Sequence, residues 1–280
     1  MNFAFELRTE LSTRAQRYAR SRGLPHTLSY GEMPAVCFVP HDNGARHGNF
    51  IPESYKTIGS NPAWRQRLRK VHTLGRRSLP ATDHGRWMEL DSCNSSDALL
   101  MNIFCHPRVL RSEKVFALLG IDPGGLLHFG YRAKVPLTSG GSDRTEVDMR
   151  IGNLLVEAKL TETDFQRASK RALSRYCDFL DVFDAELLPQ TESHYLSYQL
   201  LRNVLAAHAL QCSFCVLLDA RRPDLAEAWY AVMRCVKPVG LRTALRILTW
   251  QELAHALPSR LQDFLAAKYG ICDHCRAVAE

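Results

Sequence analysis

Residues 145–160 restrict the fold more than any other part of the chain. They form two short runs in which apolar and charged residues alternate, separated by Gly152-Asn153. Glycine and asparagine are typical of the two-residue turn of a β-hairpin. If they form that turn, Ile151 lies opposite Leu154, and the hairpin has one charged and one apolar face. The apolar face, which would pack into the core, consists of Val147, Met149, Val156, Ala158 and Leu160.

The charged face of this hairpin would place Asp148 opposite Glu157 and Glu146 opposite Lys159. Two carboxylates in opposite positions repel each other, which a purely structural strand pair would avoid. Mg²⁺ between them would remove the repulsion, since it binds carboxylate oxygens together with water and substrate phosphate. We therefore predict a metal site at Asp148 and Glu157, with the carbonyl of Ala158 as a further ligand. Lys159 would hold water and offset charge on a phosphate. The alternative is a surface hairpin with an exposed Glu146–Lys159 ion pair, which contributes little stability.

Helices and strands are predicted to alternate along the rest of the chain. Helices are expected at residues 5–20, from Pro62, and at 95–107, 110–119, 164–188, 193–209, 224–236, 251–257 and 260–269. Strands are expected at 35–39, 126–136, 145–160, 213–219 and 244–249. This order indicates an α/β protein with a central mixed β-sheet flanked by helices. We predict a helical and loop extension at 1–90, a core at 91–258, and a C-terminal helix and tail at 259–280.

The positive charge of the chain is concentrated in one segment. The formal net charge is +7, and the stretch between Glu53 and Asp83 contains no acid. Its seven bases are Lys56, Arg65, Arg67, Arg69, Lys70, Arg76 and Arg77. A basic segment beside a nearly neutral remainder suggests a polyanionic partner such as nucleic acid. The alternative is a solvated helix face. The predicted nucleic-acid contacts are Arg65, Arg67, Arg69, Lys70 and, on a later helix, Arg202.

Two features bear on the cellular location. No apolar run approaches the ~18 residues that a membrane-spanning helix needs. Charged residues such as Glu6 and Arg8 stand where a signal peptide would have its apolar centre. We therefore expect a cytoplasmic protein without a membrane partner.

The run from Glu146-Val-Asp148 to Leu-Leu-Val-Glu157-Ala-Lys159 resembles the core signature of the PD-(D/E)XK nuclease superfamily. The resemblance covers about residues 95–257 and is greatest to a bacterial branch of that superfamily. It implies a restriction-endonuclease-like fold and Mg²⁺-dependent hydrolysis of phosphodiester bonds, with Mn²⁺ as a possible substitute. Asp148 and Glu157 match the metal ligands, and Lys159 matches the base that orients water. The chain departs from the pattern at Val147, where the superfamily signature has proline. Members that cut both strands often work as homodimers.

The same resemblance implies further site residues. An acid or amide from a helix before the sheet often joins the site, and Glu89 and Asp97 are the candidates. Asp97 has a structural alternative, because Ser95-Ser96-Asp97 is typical of a helix start. Some branches place a glutamine and a tyrosine on a helix near the metal. Here the polar face of the helix predicted at 193–209 carries Tyr195, Gln199, Arg202 and Asn203, and Gln199 could bind a phosphate or a metal-bound water.

The cysteines offer a second kind of metal site. Cys212/Cys215 and Cys272/Cys275 have Cys-x-x-Cys spacing, which zinc or an Fe–S cluster could use. Cys215, however, leads into an apolar strand, and free cysteine is among the most buried residue types. A structural role is therefore favoured. Two functional hypotheses remain. The first is a metal-dependent nuclease that acts on DNA, and the second is a non-catalytic nucleic-acid-binding protein on the same fold.

Overall fold

The computed structural model describes residues 2–29, 34–71, 73–74, 77–78 and 88–272. The chain packs into two compact units. Unit 1 comprises residues 1–123 and 250–280, and unit 2 comprises residues 124–249. The domain boundaries expected near residues 90 and 258 remain predictions. In the described part of the chain, no helix has the length and apolar character needed to cross a bilayer.

Unit 1 begins with the 19-residue helix α1, which shorter helices and two-stranded ribbons follow. Its elements up to residue 123 are α1 (Phe3–Ser21), β1 (His26–Leu28), β2 (Val36–Phe38), β3 (Pro40–His41), β4 (Arg46–His47), α2 (Pro52–Ser60), α3 (Pro62–Arg67), β5 (Thr73–Leu74), β6 (Arg77–Ser78), α4 (Ser96–Phe104) and α5 (Glu113–Leu119). Single 3-10 turns span Glu89–Asp91 and Val109–Arg111. The starts predicted for α3 and α4 are confirmed, because the side chains of Asn61 and Ser95 accept hydrogen bonds from the first turns.

Unit 2 contains the large sheet, and two helices of unit 1 follow it. The elements of unit 2 are β7 (Leu127–Arg132), β8 (Val135–Pro136), β9 (Ser142–Asp143), β10 (Glu146–Ile151), β11 (Leu154–Ala158), β12 (Arg167–Ser169), α6 (Lys170–Leu173), α7 (Phe179–Val182), β13 (His194–Leu196), α8 (Tyr198–Leu210), β14 (Ser213–Leu218), α9 (Pro223–Met233), α10 (Val239–Thr243) and β15 (Leu245–Thr249). The chain then returns to unit 1 with α11 (Trp250–Ala254) and α12 (Ser259–Tyr269).

The sheet of unit 2 has five strands in the order β15-β14-β11-β10-β7. β14 pairs in parallel with both β11 and β15, whereas β10 pairs antiparallel with β11 and β7. Helix α8 connects β11 to β14 and packs against both strands. The predicted α/β fold with a mixed central sheet flanked by helices is therefore confirmed, and β11 is its middle strand.

The predicted hairpin forms β10 and β11 in the expected register. Ile151 lies opposite Leu154, and Gly152 has the left-handed φ of 56° that the turn requires. The turn also packs closely against the start of unit 2: a Cβ on Gly125 would lie 2.7 Å from the Cα of Gly152. The five residues predicted for the apolar face are all buried. The hairpin is thus fixed at its turn and along one face.

One predicted helix of unit 2 is wrong, and another begins later than predicted. The segment 164–188 forms β12, α6 and α7 in place of one long helix. The helix expected at 193–209 begins only at Tyr198, because 194–196 form β13, which pairs antiparallel with β12. Tyr195 therefore lies on a strand and does not share a helix face with Gln199.

Candidate active site

The backbone pairing of β10 with β11 ends at Asp148. The ladder runs from Ile151–Leu154 to Met149–Val156, and Asp148 and Glu157 are the first residues beyond it. There the Asp148 carboxylate accepts a hydrogen bond from the backbone N–H of Ala158 at 2.8 Å. A side chain thus replaces the backbone partner, and the two strands separate at the residues predicted to bind metal.

The backbone beyond this point supports the predicted role of the Ala158 carbonyl. The N–H of Lys159 donates to the carbonyl of Leu217 in β14, at 2.8 Å. Successive residues of a strand direct their hydrogen-bonding groups to opposite neighbours, and the N–H and C=O of one residue point to the same side. Since the N–H of Ala158 reaches Asp148, its carbonyl also faces the β10 side.

Glu157 and Lys159 form a buried ion pair. Their side chains are 3% and 6% exposed, and Oε1 of Glu157 lies 2.9 Å from Nζ of Lys159. The alternative of an exposed surface hairpin is therefore wrong, because both residues lie within the middle strand of the sheet or directly after it. Glu146 lies opposite Arg132 of β7. A charged pair buried to this degree needs its remaining hydrogen bonds satisfied.

Helix α8 supplies the second partner of Glu157. The side-chain amide of Asn203 donates to Oε2 of Glu157 at 2.8 Å. Asn203 is in turn held by Arg202, whose guanidinium donates to Oδ1 of Asn203 at 2.8 Å and to the carbonyl of Glu146 at 2.9 Å. A carboxylate oxygen can accept more than one hydrogen bond, so Glu157 retains capacity for a cation. Arg202, at 4% exposure, has this internal role, and its contact with nucleic acid remains a prediction.

Lys159 is kept in its charged form by its neighbours. Burial by itself lowers the pKa of Lys159, but the carboxylates of Glu157, Glu162 and Asp148 raise it above its usual value. The side chain is therefore an ammonium, which donates hydrogen bonds and offsets negative charge. Its Nζ also lies 5.6 Å from the centre of the Phe165 ring.

The loop after Lys159 is anchored by a fully buried arginine. The guanidinium of Arg222 donates to the carbonyls of Glu162 at 2.6 Å and Thr163 at 3.3 Å. It also donates twice to the carboxylate of Asp224, at 2.9 and 2.7 Å. Glu162 closes the loop by accepting from the N–H of Leu160 at 2.7 Å. Sequence patterns gave no signal for Arg222 or Glu162, because their partners are backbone groups of a loop.

Gln199 has a buried side-chain oxygen whose hydrogen bonding is not accounted for. It lies in the first turn of α8, four residues before Asn203 and therefore on the same face of that helix. Its Oε1 is enclosed, and among the described residues no hydrogen-bond partner reaches it. A buried polar atom of this kind points to a water or ion. The predicted role of Gln199 in holding a phosphate or a water is compatible with this placement and remains a prediction.

The other predicted acids lie in unit 1, in a cluster with predicted DNA contacts. Asp97 accepts from Arg67 at 2.6 Å and lies 3.3 Å from Nζ of Lys70. Lys70 also contacts Glu89 at 2.9 Å. Burial, followed by the Asp97 charge, raises the pKa of Glu89 despite the opposing effect of Lys70. These ion pairs give the four residues a structural role, and their roles in catalysis or DNA contact remain predictions.

Arg65 and Arg69 differ from their basic neighbours because both are exposed on or just after α3. Lys56 of the same segment is exposed as well. Arg76, also counted in this segment, lies outside the described residues.

The donor set at the hairpin fits Mg²⁺. The two carboxylates and the Ala158 carbonyl are hard oxygen donors, and Mg²⁺ sites often use only one or two carboxylates. No group of three or more His, Cys, Asp or Glu side chains suited to a metal occurs within the described ranges. Cys212 and Cys215 are buried, and Cys275 lies outside those ranges, so zinc or Fe–S binding there stays untested.

Comparison with known families bears on the whole chain. The family model REase-ARP, described as Restriction Endonuclease associating with ARP, matches residues 17–270. The chain belongs to this family. Its description indicates nuclease activity, and it supports the predicted likeness to restriction endonucleases. The match spans every predicted site residue of the chain. No curated protein and no solved structure shows significant similarity to it.

Proposed function

We propose that the hairpin of unit 2 is the centre of a Mg²⁺-dependent nuclease of the PD-(D/E)XK type that hydrolyses DNA. One observation carries this proposal. Where the backbone ladder ends, the carboxylate of Asp148 accepts from the N–H of Ala158, the residue after Glu157, and the ammonium of Lys159 lies 2.9 Å from Glu157. Repulsion between the carboxylates and their partial burial favour a cation at this point.

The residues around the site have distinct tasks in this reaction. A bound Mg²⁺ would lower the pKa of a water molecule and polarise the phosphate. Asp148, Glu157 and the Ala158 carbonyl would hold the ion. The ammonium of Lys159 would orient the attacking water and stabilise the negative charge that develops on the phosphate. Gln199 would accept a hydrogen bond from a water in the same shell.

Plasmid DNA incubated with the purified protein tests this function. We expect cleavage with Mg²⁺ or Mn²⁺ and none with a chelator, and we expect that added Mg²⁺ restores it. Agarose gels of supercoiled and linear substrates would report the products. Binding of DNA without cleavage under every metal condition would favour the non-catalytic alternative.

Asn203 is expected to act as a positioning residue for Glu157. Asn203→Ala removes the 2.8 Å hydrogen bond to Oε2. Partners of metal ligands typically contribute about 10- to 100-fold to metal affinity or activity. We therefore expect a higher Mg²⁺ concentration for half-maximal cleavage, by about tenfold, which a metal titration of the initial rate would show. His208→Ala, on the same helix but outside these contacts, is the control, and an unchanged Mg²⁺ requirement for Asn203→Ala would contradict the role.

DNA binding is expected to depend on the exposed bases of the basic segment. Each phosphate contact contributes about 0.9 to the slope of log K against log salt. Arg65→Ala combined with Arg69→Ala should therefore weaken binding and reduce that slope by about 2. Fluorescence anisotropy in a chelator at several salt concentrations measures both. The control is Arg108→Ala combined with Arg111→Ala, which removes the same charge at two other exposed positions. If both pairs change the DNA affinity and the salt slope equally, the basic segment is an ordinary solvated face.

A further inference from the structure

Unit 1 contains a cavity of about 500 Å³ that the proposed nuclease reaction does not use. It is formed by the end of α1, the β3–β4 ribbon, the start of α2 and one face of α12. This volume is within the range of small-molecule sites. Its lining combines a buried aromatic wall with three exposed guanidinium groups and one exposed carboxylate, that of Asp263. The excess of positive charge beside aromatic rings suggests a ligand that is both planar and anionic.

The wall of the cavity consists of three rings in mutual contact. The ring of Phe50 lies 5.3 Å from His47 and 5.6 Å from Tyr55, and His47 lies 5.7 Å from Tyr55. His47 is fixed in place, because Nδ1 accepts from the N–H of Asn49 and Nε2 contacts Asp91 at 3.1 Å. Phe50 is buried and Tyr55 half-buried. A rigid aromatic wall with one accessible ring is suited to stacking a planar base.

The rim of the cavity carries Arg22, Arg46 and Arg260. Arg22 forms no ion pair with any described residue and lies 4.8 Å above the Tyr18 ring. Arg46 pairs with Asp42 at 3.2 Å, with both side chains more than half exposed. Arg260 pairs with Glu53. Exposed pairs of this kind are weak, so a phosphate can replace the carboxylate and bind the guanidinium fork through two hydrogen bonds.

His41 provides a third observation. It lies opposite Arg46 in the β3–β4 ribbon and lines the same cavity. Its Nδ1 atom is enclosed, and none of the described residues provides it with a hydrogen-bond partner. Enclosed polar atoms usually have a partner, so this nitrogen is an unsatisfied polar group within the cavity wall.

We propose that this cavity binds a nucleotide unit. Its base would stack on Tyr55, and its phosphate would meet Arg22 and Arg46. The unit comes either from a free mononucleotide or from an unpaired nucleotide of a polynucleotide. The proposal goes beyond the nuclease function and does not depend on it, since all the residues belong to the cavity of unit 1.

Calorimetric titration of the full chain in a chelator tests this proposal without any cleavage. The probes are the four nucleoside 5′-monophosphates, their nucleosides, inorganic phosphate, and a DNA duplex with and without one unpaired nucleotide. We expect at least one 5′-monophosphate, or the duplex with the unpaired nucleotide, to bind at least about tenfold more tightly than its matched control. If the duplex with the unpaired nucleotide binds and the 5′-monophosphates do not, the bound unit comes from a polynucleotide. The proposal is overturned if neither a 5′-monophosphate nor the duplex with the unpaired nucleotide binds more tightly than its matched control. It is also overturned if inorganic phosphate binds as tightly as the nucleotide.

Paired variants connect the binding to the cavity. Arg22→Ala with Arg46→Ala should weaken nucleotide binding by about 30-fold or more, because two charge-assisted contacts are lost. Arg17→Ala with Arg20→Ala, exposed on α1 but outside the lining, should change it less than about threefold. Tyr55→Leu should weaken nucleotide binding by about tenfold, because stacking is lost. Equal effects of the two arginine pairs would overturn the assignment, as would unchanged binding by Tyr55→Leu.

Discussion

Replacing Lys159 with alanine is expected to reduce the rate of DNA cleavage by about 100- to 1,000-fold at saturating Mg²⁺. Loss of one group that stabilises developing negative charge typically has an effect of this size. The geometry supports this role: Lys159 is buried, charged and 2.9 Å from Glu157. Initial rates on a linear duplex, measured with DNA in excess, would give the change in kcat.

The control for this result must separate chemistry from folding. Lys159→Ala leaves the carboxylate of Glu157 buried without its ion pair, which by itself destabilises the protein. Lys159→Gln keeps a hydrogen-bond donor near Glu157 but removes the charge, and we expect it to fold, bind DNA and remain inactive. Lys237→Ala, at an exposed lysine of the same unit, should retain activity. Cleavage at the wild-type rate by a folded Lys159→Gln would remove Lys159 from the mechanism.

Arg222→Ala is expected to lower the free energy of unfolding by about 2–5 kcal/mol, the usual range for truncating a large, fully buried side chain to alanine. The substitution removes two hydrogen bonds to Asp224 and those to the carbonyls of the loop 160–163. The carbonyl of Leu160, which lies in a buried part of this loop, would then lose its guanidinium donor. Urea denaturation of the full chain, followed by circular dichroism, would measure the loss.

An exposed arginine of the same unit gives the comparison for Arg222. Arg171 lies on the surface of α6, and Arg171→Ala should change stability by no more than about 0.5 kcal/mol. A similar small change for Arg222→Ala would mean that the loop after Lys159 has another anchor. Because this loop follows the proposed active-site lysine directly, we also expect Arg222→Ala to lower cleavage at temperatures where it remains folded.

The hairpin of the candidate site was predictable because its information is local. Gly152-Asn153 sets the turn, and alternation sets the face of each side chain, so the register from Ile151–Leu154 followed from about sixteen residues. The helix predicted at 164–188 failed for the opposite reason. There β12 pairs with β13, nearly thirty residues further along the chain, and this long-range pairing overrides a local helical pattern.

The surroundings of the site were only partly predictable. The sequence placed Asn203 and Gln199 on one polar helix face, but nothing in that spacing identifies Glu157 as the partner of Asn203. Arg67 and Lys70 were expected to face solvent, whereas the structure pairs them with Asp97 and Glu89. Ion pairs between distant segments depend on how helices pack, and charge patterns along the chain do not encode that arrangement.

The separation of β10 from β11 at Asp148 has a consequence for how this centre assembles. The oxygen donors and the amine all come from a stretch of twelve residues, so a single local folding event brings them together. The groups that hold them, Asn203 and Arg222, are 46 and about 60 residues further along the chain and close much larger loops. The hairpin can therefore form before α8 and the later elements dock, so the proposed metal ligands come together ahead of the groups that fix them.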